Sequence, residues 1–466
     1  MSNLNWGLRE CGIFLLWATV AVALPAQTFT RLHSFKDTDG EFPAGTLAQA
    51  TNGNLYGTTL SGGTKREGTA FQITTAGALT TLYAFAGTDG GNPYAGLVPG
   101  TNGKLYGTTT SGGGNNDGTV FRITTGGTLT PLHSFDGTDG AQPWAGLVQA
   151  SNGKFYGATQ DGGANGDGTV FSITTGGTLT KLYDFCTQGD TSCPDGYFPL
   201  AGLVQASDGN FYGTTLQGGH GCPIVGCGTV FKITPNGELT TLHRFSGPDG
   251  TNPLGTLVEG ADGYLYGGTG SGGADGAGTI FKISPTGAFA TLFNFNVANG
   301  QDPQGGVIQG TDGNFYGTTE YGGINDRGTV FQITPIGTLT TLHSFDGSDG
   351  ADPSAGLVQD TDGNLYGTTY FGGAYRYGTV FSLSVGLGPF VKTNPTSGAV
   401  GATVNILGTN LTGSTSVTFN GTPATFTVKS KTLIITNLPA GATTGTVQVV
   451  TPGGTLSSNV NFQVLP

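Results

Sequence analysis

One phrase recurs seven times in this chain and leaves few folds open to it: L/F-Y-G-T-T, a Gly-Gly pair, a four-residue gap, then G-T-V-F. The first copy reads Leu55-Tyr56-Gly57-Thr58-Thr59, Gly62-Gly63 and Gly68-Thr69-Ala70-Phe71, and the tyrosine returns at Tyr106, Tyr156, Tyr212, Tyr266, Tyr316 and Tyr366. The tyrosine spacings are 50, 50, 56, 54, 50 and 50 residues. A period near 50 marks an array whose units bury their apolar faces only against one another. Glycine (87) and proline (22) together make nearly a quarter of the 466 residues, close to low-complexity composition. Here the glycines keep fixed offsets between apolar runs, which is the pattern of tight turns joining short strands.

Each copy holds four candidate strands. In the third they are 146–149, 154–159, 169–173 and 179–185, all rich in β-branched and aromatic residues and bounded by turn residues. Between the first and second lies Asn-Gly or Asp-Gly in every copy, at Asn52, Asn102, Asn152, Asp208, Asp262, Asp312 and Asp362, a pair suited to the positive φ angles of a tight hairpin. No stretch beyond the N-terminal segment shows a 3.6-residue apolar period.

Seven sets of four antiparallel strands predict an all-β fold, a seven-bladed β-propeller over residues 27–385. The array opens with a lone fourth-type strand, Phe29–Phe35, and closes after a third-type strand at 378–383, so the first strand is expected to complete the last blade. In an up-and-down array the Asn/Asp-Gly turns share one face. The G-G-x-x-x-x-G loops and the long D-G-x-x-P connections share the other, and that variable face is where binding residues are expected.

The flanks differ from the array. Residues 11–24 are an unbroken apolar or small run with cleavage options at Ala23, near its end, and Ala26, just after it, which reads as an export signal over 1–26 and is too short to span a membrane. From Pro389 onward there is no Asp or Glu and only Lys392, Lys429 and Lys431, in a protein of net charge −12. That break places a linker at 386–389 and a second domain at 390–466, whose short strand-like runs predict an immunoglobulin-like sandwich. The acidic balance argues against a nucleic-acid partner. Four cysteines in an exported chain predict disulfides, locally paired as Cys186–Cys193 and Cys222–Cys227. A zinc site on His220, Cys222 and Cys227 competes with that pairing but lacks a standard ligand spacing.

The repeat text G-N-L/F-Y-G-T-T, G-G, G-T-V-F-x-I-T and G-T-L-T-x-L resembles the GloVer-type tandem repeats of bacterial choice-of-anchor surface proteins. The tail, with Asn394–Gly398, Gly401–Asn410 and Val417–Gly421, resembles the IPT/TIG domain. The first resemblance implies export and surface display without a known reaction. The second implies an immunoglobulin-like module found in surface and carbohydrate-processing proteins. The chain departs from the anchored pattern in reaching Pro466 without a hydrophobic, basic-flanked tail.

No catalytic motif, metal-ligand set or cofactor signature stands out. His33, His133, His243 and His343 share one repeat position with Tyr83, Tyr183 and Phe293, which reads as a packing site for a flat ring. Asp360-Thr361-Asp362-Gly363 resembles the start of a calcium loop, but no glutamate closes it and the turn reading is preferred. One asymmetry rises above the repeat: the Gly-Gly loops of copies six, seven and one carry Arg327, Arg376, Lys65 and Arg66, with Tyr321, Tyr370, Phe371, Tyr375 and Tyr377 in the same arc. Tyr375, Arg376, Tyr377, Arg327, Lys65 and Tyr321 are therefore the expected ligand contacts, suited to an acidic glycan. The expected function is a monomeric secreted or surface-displayed binding protein with a glycan or protein ligand. The alternatives are a lyase-type polysaccharide-active enzyme using one base and one Arg or Tyr, the variable face carrying Gln160-Asp161 in copy three and Glu320-Tyr321 in copy six, and a purely structural surface protein.

Overall fold

The computed structural model describes residues 27–186, 193–219, 222 and 226–465. Every regular element among them is a strand. Seven four-stranded sheets span 28–384, and two more four-stranded sheets with a two-stranded one span 392–464. In the third copy the strands are Val148–Gln149, Phe155–Thr159, Thr169–Ile173 and Leu179–Asp184, hydrogen-bonded in that order and antiparallel. The expected latch is present: Thr28–Ser34 pairs with Thr379–Ser384, from Thr28↔Ser384 to Ser34↔Thr379.

The repeated phrase is explained by what its residues touch. Gly57 lies under an aromatic ring; a Cβ there would meet Phe71 Cζ at 2.6 Å, so the Gly of Y-G and the Phe of G-T-V-F are one contact. Thr59 and Thr69 hydroxyls bond at 2.8 Å, and the equivalent pair recurs in all seven sheets. Each buried tyrosine hydroxyl is matched by its own hairpin turn. Asn52, Asn102 and Asn152 donate to it, whereas Asp208, Asp262, Asp312 and Asp362 accept from it. The Asp362 carboxylate is thus committed to Tyr366, in keeping with the turn reading of that loop.

The core lies between sheets rather than within them. Tyr56, Ala70 and Phe85 of one copy pack with Leu97, Leu105 and Phe121 of the next. The same arrangement joins last to first, with Tyr366 and Val380 against Leu47, Leu55, Phe71 and Ile73, and Phe35 of the latch strand among them. Every third-to-outer pairing carries a one-residue β-bulge, as between Val170 and Phe171. The bulged leucine, Leu82 in the first copy, packs into the core shared with the following copy.

Two expectations need correction. The inner strands pair over two residues, three in the sixth copy, and not four: only Val148↔Tyr156 and Gln149↔Phe155 in the third copy. The preceding residues face the axis, where neighbouring copies approach so closely that a Cβ on Gly96 would lie 2.1 Å from the Thr46 carbonyl. The histidine position also does more than pack a ring. His33, His133, His243 and His343 place Nε2 against Asp39, Asp139, Asp249 and Asp349, and the Tyr83 and Tyr183 hydroxyls donate to Asp89 and Asp195. Where the ring is Phe293 and has no donor, the acid is replaced by Asn299.

The tail folds on a core of Val404, Ile406, Val417, Phe419, Ile434, Val447, Val449 and Phe462. Its strand Val447–Thr451 alternates buried and exposed positions, as a half-buried strand must. This sandwich rests on the Asn/Asp-Gly face. Asn394 and Asn405 donate to the carbonyls of Pro99 and Thr101 at 3.3 Å, Thr432 to Thr51 at 3.0 Å, and Thr409 to Thr361 at 3.4 Å. Cys186 is bonded to Cys193 and Cys222 to Cys227. The second pair takes both sulfurs of the competing zinc reading, whose His220 lies outside the described residues. The export segment 1–26 lies outside them as well.

Candidate functional site

Where the seven copies meet, a cavity of about 590 Å³ opens along the axis. It is built by the connection that leads into each inner strand. The residue before the invariant proline is left-handed in every copy: Phe42, Asn92, Gln142, Phe198, Asn252, Asp302 and Asp352 have φ between 52° and 58°. Two backbone bonds pin each one. Asp302 N donates to Ala277 O at 3.0 Å, and Glu320 N donates to Asp302 O at 2.9 Å, with counterparts around the ring. Non-glycine residues held in this region cost on the order of 1–3 kcal/mol and persist only where surroundings fix them. The fixed turn aims the residue after the proline into the cavity, so the lining at that level is Ala44, Tyr94, Trp144, Leu200, Leu254, Gln304 and Ser354.

One side of this ring is polar. Gln304 Nε2 donates to Asp302 Oδ2 at 2.9 Å and also to Glu320. The Glu320 carboxylate is hydrogen-bonded to Tyr321 and pushed up to about 7, chiefly by burial, with Asp302 and Asp352 adding repulsion. Burial likewise raises Asp302 and Asp352, the latter offset by Arg327. Tyr94, from copy two, comes near enough to this side for its charges to act on it. Its phenol is pushed up to about 12 by burial and by Tyr370, Glu320 and Asp302. On its other side Tyr94 meets Trp144, with ring centroids 4.4 Å apart. An aromatic pair tilted by 52°, beside an amide and nearby carboxylates, is a lining that offers apolar surface to a ring and polar groups that orient hydroxyls or charges.

The seam residues named from sequence lie on the same face, farther out. Tyr375 (56% exposed), Phe371 and Tyr321 are exposed, and Tyr377 packs against Phe42. Phe42 also stacks on Tyr370, with centroids 5.0 Å apart, so an aromatic tract joins the seam loops to the cavity rim. Arg66 pairs with the exposed Asp37 at 3.6 Å, and the charge of Arg327 is felt by Asp352. Lys65 and Arg376 have no carboxylate within 4 Å among the described residues. Structure therefore brings Tyr321 to the Glu320 cluster and leaves Tyr375 and Arg376 at a loop tip. Tyr94, Trp144, Asp302, Gln304 and Asp352 were missed from sequence. Their signal was available in the one residue that changes on either side of a constant proline.

Comparisons with known proteins agree with this architecture. The Gloeobacter/Verrucomicrobia repeat profile matches residues 18–222, 190–381 and 286–412, and the IPT/TIG domain profile matches 390–464. No curated protein sequence matches the chain. Among solved structures, a fungal alcohol oxidase in complex with copper has 15% identity and a TM-score of 0.54, covering 94% of this chain and 99% of its own. That likeness is one of fold. The extracellular domain assigned to a hybrid two-component system of Bacteroides thetaiotaomicron has 12% identity and a TM-score of 0.48, covering 95% of this chain and 59% of its own. A protein described as a 6-phosphogluconolactonase from Bacteroides fragilis has 19% identity and a TM-score of 0.45, covering 68% and 88%.

Proposed function

The chain belongs to the Gloeobacter/Verrucomicrobia repeat family and carries an IPT/TIG domain, and from that premise we propose that it is a secreted or surface-displayed binding protein whose propeller recognises a glycan. The observation that carries this reading is the axial cavity. Its scaffold is the same in seven copies, yet the lining residue after the proline is Ala, Tyr, Trp, Leu, Leu, Gln and Ser around the ring and includes the Tyr94–Trp144 pair. Loops that vary on a constant frame are where recognition concentrates. Two disulfides are in keeping with an oxidising compartment. The seam side chains Tyr321, Tyr375, Arg376, Tyr377, Arg327 and Lys65 serve as an outer contact surface for a ligand that extends past the rim. The IPT/TIG domain, docked on the opposite face, leaves that rim open to solvent and serves as a clasp or spacer.

A panel of glycans and soluble polysaccharides, read for both binding and bond cleavage, tests the proposal. Tyr94→Ala and Trp144→Ala are each expected to weaken binding by about 1–3 kcal/mol, as loss of a stacking partner does. Tyr375→Ala with Tyr377→Ala has a smaller effect, and Asp275→Ala in an exposed loop of copy five has none. Binding that survives both cavity variants would reject the site. A lyase reading draws on one observation, a carboxyl held near neutrality beside Tyr321, as a general base requires. Cleavage products lost in Glu320→Gln would make it the better description.

A further inference from the structure

The cavity mouth has one polar side, and the inference drawn from it rests on the glycan-binding reading above. Three buried side-chain atoms there have no hydrogen-bond partner: Trp144 Nε1, Ser354 Oγ and Asp302 Oδ1. Trp144 and Ser354 line the cavity, and Asp302 stands behind Gln304, to which it is bonded. Buried polar atoms are nearly always paired in folded proteins, and three of the six exceptions among the described residues belong to side chains at this cavity. The indole offers a donor, the hydroxyl offers either role, and the carboxylate offers an acceptor.

The remaining polar atoms tip the balance toward acceptors. Because Gln304 Nε2 donates to both Asp302 and Glu320, its amide orientation is set, and Oε1 is left as its accepting end. Asp352, on the neighbouring copy, adds a third carboxylate close enough to act on Glu320. Arg327 offsets Asp352 in part, and no lysine or arginine is among the residues that line the cavity. In a partly buried site the field of such a cluster is screened less than on open surface, so it discriminates strongly by ligand charge. A uronic acid would meet like charge. A neutral sugar would leave the acceptors without a strong donor.

We propose that the cavity mouth takes a saccharide unit bearing a cationic amine, with its ring against Tyr94 and Trp144 and its ammonium on the Gln304–Asp302–Glu320 side. The ammonium donates to Gln304 Oε1, which lines the cavity, and lies in the field of the Asp302 and Glu320 carboxylates that hold that amide from behind. The aromatic faces of Tyr94 and Trp144 add cation–π attraction to the stacking. The inference reverses the charge preference expected from the seam arginines, one of which is already matched by Asp37.

Calorimetric titration of the full chain at pH 7 with a glucosamine oligomer, its N-acetylated counterpart and an oligogalacturonate tests this. The glucosamine oligomer is expected to bind at least about tenfold tighter than the N-acetylated form, with the galacturonate weakest. Asp302→Asn and Glu320→Gln should each cut that preference by about fivefold or more, read as the ratio of the two affinities measured on the same variant. Both variants are tolerated by the repeat, since copies two and five carry Asn92 and Asn252, and copy three carries Gln160, at the same positions. If Tyr94→Ala and Trp144→Ala abolish binding but no preference for the amine exists, or both carboxyl variants leave it intact, the amine inference falls and the cavity reading stands. If no saccharide binds, or the aromatic variants change nothing, both fall.

Discussion

His343 and Phe293 occupy one repeat position and show how each side chain here is selected together with a partner. The His343 Nε2 meets Asp349 at 2.8 Å, while the other oxygen of Asp349 caps the backbone N of Asp346 at 3.0 Å. In copy five the Asn299 oxygen makes the same backbone cap at 2.9 Å, and Phe293 asks for nothing more. His343→Phe should therefore cost about 1–2 kcal/mol by stranding the second Asp349 oxygen, and adding Asp349→Asn should recover most of that loss. A chemical-denaturation double-mutant cycle with no coupling would contradict the pairing. Glu320 supplies a pH test at the same scale. Its folded pKa, about 7, lies above the usual carboxyl value, so the folded state retains a proton that the unfolded state has lost. Stability should fall as pH rises from about 4.5 to about 7. Asp360, raised to about 6 by burial and by Asp362, acts in the same direction. Melting temperatures across this window should show a shallower slope in Glu320→Gln, and an unchanged slope would place the carboxyl in solvent.

At the scale of elements, the strand Thr28–Ser34 separates a closed ring from an open stack. Phe35, just beyond it, is fully buried in the seam core, as Phe85 is in the core between copies one and two. Phe35→Ala and Phe85→Ala should then cost about the same, roughly 3–5 kcal/mol each. A much smaller cost at Phe35 in urea unfolding would mean that the first and last copies do not support one another. This element was legible in the sequence because its partner strand was missing from the last copy. The inner strands were less legible: 146–149 has strand composition, yet Gly146 and Leu147 face the axis, and only ring closure decides that. The cavity lining was hidden for the same reason. Tyr94 and Asp302 lie 208 residues apart and in different copies, and no local pattern says that the charge of one acts on the other.

At the scale of the whole molecule, the copies are tied by a ring of side-chain bridges with one gap. Gln149 accepts from Thr101 N, Gln205 from Ser151 N, Glu259 from Ser207 N, Gln309 from Ala261 N, Gln359 from Thr311 N and Gln49 from Thr361 N. Between copies one and two the position is Pro99, which has no such side chain. The sandwich sits at that junction and donates to the carbonyls of Thr51, Pro99 and Thr101. It thereby spans the gap as a clasp. A chain ending at 385 should melt several degrees lower than one carrying the sandwich, while an identical melting temperature would make the sandwich a bystander. The seam patch was read from sequence as the binding site because charge and aromatics stood out there. Geometry adds the deeper cavity beside it, where the variable residues converge. The most direct test of recognition at that cavity uses its tryptophan. Of Trp6, Trp17 and Trp144, only Trp144 remains once residues 1–26 are removed, so intrinsic fluorescence reports the cavity alone. Titration with a saccharide shown to bind by calorimetry should shift or quench Trp144 emission, saturating at the same concentration as the heat. Binding heat without any change in that emission would place the ligand elsewhere and contradict the account.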